Sequence, residues 1–234
     1  MMKKILFAIL LLSLHAFVFA APISLNSPAS TKMLQDALTL KTEELLSNFT
    51  VQKTQTYCGV ASAVTVLNAL NAIAPMAKVP VDPIYKPYRY FTQADFFDKT
   101  AQAIYPAEKV LKKGIPLAKL VALISSKGVG VQYVHASNDG LEQFVGHLQN
   151  FQTDKHSFII VNYFRKTLGQ VGGGHFSVIG AYDKKESKVL ILDVAKYKYQ
   201  PVWVKVQTLF KAMLTQDSDS GLTRGYIVIK PKQA

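Results

Sequence analysis

The 234-residue sequence has only one cysteine, Cys58, so the chain cannot form an internal disulfide. Its stability must come from a hydrophobic core, and 49% of its residues are hydrophobic. A lone thiol in an oxidising compartment is either buried and inert or kept for its chemistry. The same shortage weakens a zinc-site interpretation, because one cysteine and dispersed histidines give no ligand pair at zinc spacing.

Beyond residues 1–20 the sequence has no apolar run long enough to span a bilayer. The opening segment, MMKKILFAILLLSLHAFVFA, places two lysines before an apolar stretch of about 15 residues, whereas a membrane span needs roughly 20. This pattern predicts a signal peptide over residues 1–20, cleaved after Ala20, and a single domain over residues 21–234. An uncleaved anchor is the alternative. Cleavage would leave an exported protein, periplasmic or secreted, with no membrane contact.

The sequence also has no arginine-rich run, although its formal net charge is +12. Its lysines are scattered, as Lys78, Lys86 and Lys99 illustrate. A basic surface can bind nucleic acid, an anionic membrane or small anions, but scattered lysines are typical of solvated faces. We therefore expect no nucleic-acid partner.

Helical and strand patterns follow one another along the chain. Apolar spacing predicts helices over residues 31–47, 59–73, 93–104, 116–126 and 139–150. Runs of β-branched and aromatic residues predict strands over residues 157–164, 175–183, 188–195 and 225–230, and four prolines predict an irregular loop over residues 75–91. This order favours an α+β domain, with a helical half facing an antiparallel sheet half.

Cys58 lies where the second of these helices begins. The positive end of a helix dipole stabilises a thiolate there, and the thiolate is the form that a cysteine nucleophile needs. Small buried cysteines are also common in helices, so position alone leaves nucleophile and core filler open.

Among the histidines of residues 21–234, His175 has the most unusual context. It follows three glycines and begins an apolar strand, so another group could approach its backbone closely. A phosphate loop is a poor alternative, because no helix and no P-loop lysine follow. Asp193 ends the next apolar strand, and a hairpin would bring it near His175. A carboxylate there needs a partner, although a solvated aspartate at a strand end remains an alternative.

Gln52 precedes Cys58 by six residues. Its side-chain amide could bind an oxyanion together with the backbone N–H of Cys58, and Gln55 is the nearby competitor. Glutamine, cysteine, histidine and then an acidic residue, in that chain order, is the papain-type arrangement.

Four segments carry a resemblance to a known family: YCGVASAVTVLNAL (57–70), VNYFRKTLGQVGGGHFSVIGAYD (161–183), LILDVAKYKYQPVWV (190–204) and TRGYIVI (223–229). The chain resembles the phytochelatin synthases, which are papain-like, over roughly residues 28–232. The resemblance implies a papain-like cysteine protease fold, a triad of Cys58, His175 and Asp193, and Gln52 at the oxyanion. It also implies glutathione as substrate, cleaved at its Cys–Gly bond through a γ-glutamylcysteine thioester.

The resemblance further implies a set of substrate-binding positions around the acyl site: Asn162, Arg165, Gly174, Phe176, Asp217 and Arg224. The last two match a pair that holds the γ-glutamyl amino and carboxylate groups, and such a free amino acid end suits one anion and one cation. Surface charge is the alternative interpretation for both arginines.

The sequence departs from the family pattern in two places: Val178 stands where a proline is familiar, and Gln55 and Thr56 replace Pro-Ala. It also stops at Ala234 without a cysteine-rich C-terminal half. We expect no built-in cofactor or metal, with Cd²⁺ or Zn²⁺ entering as glutathione thiolates, and a homodimer is open. The alternatives are an exported papain-like peptidase acting on other peptides or glutathione conjugates, and a non-enzymatic thiol- or metal-binding protein.

Overall fold

A computed structural model describes residues 21–72, 74 and 89–232. The predicted signal peptide and most of the predicted irregular loop therefore lie outside the described residues. The helices of the described part are α1 (Pro28–Ala37), α2 (Leu40–Ser47), α3 (Cys58–Ala69), α4 (Lys99–Ile104), α5 (Ala107–Lys113), α6 (Leu117–Ser125), α7 (Leu141–Thr153) and α8 (Val206–Met213). The strands are β1 (Ile23–Ser24), β2 (Val129–His135), β3 (Phe158–Phe164), β4 (Gly174–Asp183), β5 (Lys188–Leu192), β6 (Val202–Lys205) and β7 (Gly225–Pro231).

The seven strands form one sheet in the order β1-β6-β5-β4-β3-β7-β2. All six neighbouring pairs are antiparallel. Helix α3 packs against β4, which lies at the centre of the sheet. The predicted α+β class and the packing of the Cys58 helix on an antiparallel sheet are confirmed.

Helices cover both faces of the sheet, a detail that the predicted packing of a helical half against a sheet half did not include. Helices α1 to α6 share one buried cluster with one sheet face, whereas α7 and α8 pack on the opposite face around Phe144, Leu209 and Met213. The physical reason is visible in β3, whose sequence FIIVNYF is apolar with almost no alternation and is buried along nearly its whole length. A strand of this kind needs cover on both faces.

Several predicted boundaries also need correction. The helix predicted over residues 31–47 is two helices, because Thr39 forms a capping box with Thr42 that starts α2 anew. The helix predicted from residue 93 begins at Lys99, where the Asp98 side chain accepts a hydrogen bond from the Ala101 N–H. The sequence reasoning missed α5, α8, β1, β2 and β6.

Helix α3 has an apolar surface on all sides and is buried almost throughout. A side chain at Gly59 would place its Cβ 3.0 Å from Ile115 Cγ2 and Leu120 Cδ2, so the neighbouring segment approaches the helix backbone closely. Within the described residues, no helix has the length and hydropathy needed to cross a membrane.

Candidate active site

Cys58 is the first residue of α3, as the sequence predicts. Cys58 is only 9% exposed, so its side chain lies just beneath the protein surface. The backbone N–H groups of Gly59 and Phe176 both act to lower the pKa of its thiol. The start of a helix and two N–H donors both favour a negative sulfur.

Cys58 and His175 stabilise each other's charged forms. Burial opposes a thiolate, but the charge of His175, a hydrogen bond from its ring and the two backbone donors outweigh it and lower the pKa of Cys58. Burial likewise opposes an imidazolium, but the charge of Cys58 and a hydrogen bond to Asp193 raise the pKa of His175. The pair therefore favours a thiolate and an imidazolium, which is the reactive state of a cysteine nucleophile.

His175 Nε2 lies 2.9 Å from Asp193 Oδ1, and both side chains are buried. Since the hydrogen bond to Asp193 uses Nε2, it leaves Nδ1 for Cys58. The predicted proximity of His175 and Asp193 is confirmed. The alternative of a solvated aspartate is wrong, because Asp193 has no exposed surface.

Arg165 is paired with Asp193, a contact that the resemblance did not imply, and its place around the acyl site stays a prediction. It donates from Nη1 to Asp193 Oδ2 at 2.7 Å and from Nη2 to Asp193 Oδ1 at 2.8 Å, and Nη1 also donates to Gln170 Oε1 at 2.7 Å. Only 3% of Arg165 is exposed. The guanidinium is buried with Asp193 because a buried carboxylate requires a counter-ion beside it. Burial raises the pKa of Asp193, but His175 and Arg165 reverse this effect and hold it well below its usual range.

A β-bulge at Gly180 places Asp193 on the same sheet face as His175. Asp183 pairs with Lys188, but beyond the bulge Val178 pairs with Leu192. If this register continued for one more residue, Asp193 would lie beside Ser177. Ser177 is two residues from His175 and therefore lies on the same face of the sheet. An unbroken register would set Asp193 beside Val178, which faces α3.

Asp193 itself leaves the ladder, and the strand predicted over residues 188–195 ends at Leu192. Its Oδ1 atom accepts the backbone N–H of Ala195 at 2.9 Å. An aspartate side chain that takes a nearby backbone N–H in this way competes with strand pairing.

The glycines before His175 make room for two guanidinium groups. Gly172 has a φ of +128°, and a Cβ there would lie 3.0 Å from Arg165 Cδ. A Cβ at Gly174 would lie 2.8 Å from Arg224 Nη2. The predicted close approach of another group is therefore confirmed, and the groups are the two arginines.

An open cleft of about 220 Å³ contains Cys58 and most of the predicted substrate-binding residues. Its lining residues combine both charges with apolar and amide side chains: Gln55, Thr56, Cys58, Lys113, Gly114, Ile115, Asn162, Gly174, Phe176, Asp217, Ser218, Asp219 and Arg224. Arg165 is absent from this set. Sequence reasoning did not find Lys113 or Asp219, because neither lies in a recognisable motif.

Two of the cleft residues present polar atoms that suit a ligand. Asn162 Oδ1 is buried without a hydrogen-bond partner among the described residues. The hydrogen bonds of the Arg224 guanidinium to Thr215 and Gln216 all use Nη1, and its opposite edge faces Gly174. The cleft can therefore accept a hydrogen-bond donor beside Asn162 and an anion beside Arg224.

Gln52 is buried in the loop before α3, and its amide is already engaged. Its Nε2 atom donates to Thr54 O and to the Tyr197 hydroxyl, each at 2.8 Å. The competitor Gln55 is exposed and lines the cleft. Both glutamines remain candidates for the oxyanion by position.

Within the described part of the chain, no group of three or more histidine, cysteine, aspartate or glutamate side chains is arranged to hold a metal ion. The two acidic residues of the cleft, Asp217 and Asp219, stand with Lys113 and Arg224 instead. Mixed charges of this kind suit a zwitterionic ligand.

A sequence model described as phytochelatin synthase matches residues 17–226, which is most of the chain. The chain belongs to the phytochelatin synthase family. The matched range includes Cys58, His175 and Asp193. It also includes Asp217 and Arg224, so the charged residues of the cleft belong to the family domain.

The curated plant and yeast relatives of this phytochelatin synthase family member share the name glutathione gamma-glutamylcysteinyltransferase. Glutathione gamma-glutamylcysteinyltransferase 3 of Lotus japonicus is 35% identical over 88% of this chain and 42% of its own length. Glutathione gamma-glutamylcysteinyltransferase 1 of Triticum aestivum is 33% identical over 95% of this chain and 43% of its own. The Schizosaccharomyces pombe protein is 26% identical over 89% and 48%. The chain thus spans less than half the length of these relatives.

Among solved structures, the interpain A cysteine protease of Prevotella intermedia is similar with a TM-score of 0.41 and 13% identity. The similarity covers 84% of this chain and 91% of that one. The likeness is weak, and the α+β class rests on the elements of the chain itself.

Proposed function

We propose that this protein is a glutathione γ-glutamylcysteinyltransferase and hydrolase that uses Cys58 as nucleophile. The observation that carries the proposal is the joint placement of the Cys58–His175–Asp193 triad and the charged cleft. The name shared by the plant and yeast relatives supports glutathione as the substrate.

In the proposed reaction, the Cys58 thiolate attacks the carbonyl carbon of the cysteinyl residue of glutathione. Gln52 and the Cys58 backbone N–H bind the resulting oxyanion. The C–N bond to glycine breaks, and His175 gives its proton to the departing amine. The γ-glutamylcysteine group is then held as a thioester on Cys58.

The second half of the reaction releases this group. Water, or the amino group of a second glutathione, attacks the thioester while His175 acts as base. Water gives γ-glutamylcysteine, and glutathione gives a phytochelatin. Asp193 orients the imidazole and stabilises its charge, and Arg165 holds Asp193 in place.

The cleft accounts for the choice of a γ-glutamyl group. Its free end carries an ammonium and a carboxylate, which match Asp217 and Arg224 of the cleft. Asn162 Oδ1, which is buried without a described partner, can accept a substrate N–H. Gly174 and Phe176 line the same cleft.

Cadmium or zinc would enter this reaction as a glutathione thiolate, and therefore as part of the substrate. No resident cofactor is needed for the steps above. The N-terminal segment supports export to the periplasm or the exterior, where the protein would meet glutathione outside the cytosol.

The direct test is incubation of the protein with millimolar glutathione, with and without cadmium, followed by mass spectrometry of the products. The matched control is Cys58→Ala. We expect Cys58-dependent release of glycine, with γ-glutamylcysteine if water is the acceptor and (γ-Glu-Cys)₂-Gly if glutathione is. Absence of both products would reject glutathione as the substrate.

A second arm separates this function from that of a general exported peptidase. Wild type and Arg224→Ala are compared on γ-Glu-Cys-Gly and on its α-linked isomer. We expect wild type to prefer the γ-linked peptide and Arg224→Ala to lose most of that preference. Equal rates on both peptides for wild type would favour the peptidase. Unchanged binding of glutathione by Cys58→Ser, together with no turnover by wild type, would favour a non-enzymatic binding protein.

A further inference from the structure

The side-chain amide of Gln52 has no free hydrogen in this structure. Gln52 is 5% exposed, and its Nε2 atom donates to Thr54 O and to the Tyr197 hydroxyl, each at 2.8 Å. A primary amide has two N–H groups, so both are used. The Oε1 atom is buried with no hydrogen-bond partner in the described part of the chain.

The two acceptors of these hydrogen bonds differ in how firmly they are held. Thr54 O belongs to the loop that leads into α3, and the backbone N–H of Tyr57 also donates to it at 3.2 Å. Tyr197 lies on the turn after Asp193, and its side chain is 61% exposed. Of the two acceptors, only the tyrosine hydroxyl can be displaced without moving the backbone beside Cys58.

The backbone fixes the position from which Tyr197 reaches Gln52. The Gln52 N–H donates to Val194 O at 2.9 Å and so joins the loop before α3 to the segment after Asp193. The N–H groups of Lys198 and Tyr199 both donate to Ala195 O, which forms the turn that carries Tyr197. The hydroxyl is thus set beside the Gln52 amide by the same segment that supplies Asp193.

An N–H group points in one direction, so an oxyanion bound by Gln52 would take the position that the Tyr197 hydroxyl holds now. We propose that Tyr197 caps the oxyanion donor of the free enzyme, and that substrate displaces its hydroxyl before or during attack by Cys58. This inference rests on the oxyanion role proposed for Gln52. Under this proposal Tyr197 slows acylation of Cys58, although its side chain supplies no group to the reaction.

The displaced bond is an ordinary neutral hydrogen bond, so its removal should speed acylation between about two- and tenfold. Tyr197→Phe keeps the ring and removes only the hydroxyl. The matched control is Tyr133→Phe, the same change at a 42% exposed tyrosine on β2.

The test uses p-nitrophenyl acetate, so that it does not depend on glutathione. Cys58 Sγ attacks the ester carbonyl, an oxyanion forms, and the C–O bond breaks to release p-nitrophenolate, while acetyl remains on sulfur. The size and rate of the p-nitrophenolate burst are measured for each variant. Alkylation by iodoacetamide, which displaces iodide without an oxyanion, reports the reactivity of the thiolate alone.

We expect Tyr197→Phe to raise the burst rate by about two- to tenfold and to leave iodoacetamide alkylation unchanged. The gain should disappear in a Gln52→Ala background and persist in a Gln55→Ala background. An unchanged or slower burst, an equal rise in alkylation, or a gain that survives Gln52→Ala would each overturn the proposal. If wild type shows the burst but releases no glycine from glutathione, the proposed function fails while the inference about Tyr197 is still decided.

Discussion

Arg165 donates to both carboxylate oxygens of Asp193, at 2.7 and 2.8 Å, and one of these oxygens, Oδ1, also lies 2.9 Å from His175 Nε2. The pair is buried, with 3% of Arg165 exposed and none of Asp193. The guanidinium also lies over the Tyr199 ring, 4.9 Å from its centroid. Arg165 is therefore a positioning residue that acts through Asp193 on His175.

Replacement of Arg165 by methionine should leave a buried carboxylate without its bidentate counter-ion. We expect the free energy of unfolding to fall by about 3–5 kcal/mol. Arg165→Lys keeps the charge but loses the bidentate geometry, so it should lose less. Denaturant unfolding measures the loss, and similar stability for wild type and Arg165→Met would contradict the argument.

The stability of the same variant should depend less on pH in the acid range than that of wild type. The folded-state pKa of Asp193 is depressed, so its contribution to stability is present above the ordinary value of 3.8 and is lost as the pH falls through the folded value. Arg165→Met raises that folded value toward the ordinary one, so less stability is lost as the pH falls, and the difference from wild type should shrink in acid. The readout is the free energy of unfolding between about pH 3 and pH 7.

Gly174→Ala should weaken substrate binding and leave the nucleophile intact. The new Cβ would lie 2.8 Å from Arg224 Nη2, and the guanidinium is held by Thr215 and Gln216, so it must move away from the cleft. We expect KM for glutathione to rise about tenfold, which corresponds to roughly 1.4 kcal/mol of binding free energy.

The control for this change is Gly173→Ala, because a Cβ at Gly173 meets no atom within 4 Å. Steady-state kinetics with glutathione gives KM, and iodoacetamide alkylation reports Cys58. A rise in KM that is equal for both alanine variants would show that the effect comes from the loop backbone and not from Arg224.

Gly180→Ala should damage the bulge that aligns Asp193 with His175. Its Cβ would lie 2.7 Å from Leu192 Cγ, and Leu192 is fully buried. Overpacking of this kind costs about 1–3 kcal/mol. The Thr42 hydroxyl also donates to Gly180 O at 2.8 Å, which ties the bulge to α2.

For Gly180→Ala we expect lower stability together with slower glycine release, since any relief of the clash shifts the register of Asp193. Gly146→Ala on α7 is the matched control, because its Cβ meets nothing within 4 Å. A helical glycine replaced by alanine should gain up to about 1 kcal/mol. Full activity of Gly180→Ala would show that the bulge tolerates a side chain.

The pH dependence of alkylation should report the Cys58–His175 pair. The folded pKa of Cys58 lies below the ordinary 9.0, so the thiolate persists as the pH falls and is lost only below the folded value. The folded pKa of His175 lies above the ordinary 6.5, so the imidazolium is lost as the pH rises through that value. Glycine release should therefore follow a bell-shaped profile.

In His175→Ala, the thiolate loses its main source of stabilisation while burial remains. We expect the alkylation midpoint to move upward, to or beyond the ordinary thiol value. The exposed His156 provides the control, as His156→Ala should leave the midpoint in place. An unshifted midpoint in His175→Ala would mean that the helix start and the backbone donors suffice to stabilise the thiolate.

The amino-acid sequence by itself determined the features that depend on nearby residues. The apolar run after Cys58 predicts a buried helix with the thiol at its positive end, and the structure places the helix start at that residue. The glycines before His175 predict a close approach by another group. Asp193 at the end of an apolar strand predicts a buried partner for its carboxylate.

Tertiary structure alone decided which groups meet. The resemblance implied a place for Arg165 around the acyl site, and only the fold shows its buried pairing with Asp193, because a charge in the core must pair with whatever opposite charge is packed against it. The Gly180 bulge selects the sheet face of Asp193, and a one-residue shift of register depends on packing across the whole sheet. The contact between Gln52 and Tyr197 joins residues far apart in the chain. Local periodicity carries no information about such pairs, because the distance between their side chains is fixed only once helices have packed on both faces of the sheet.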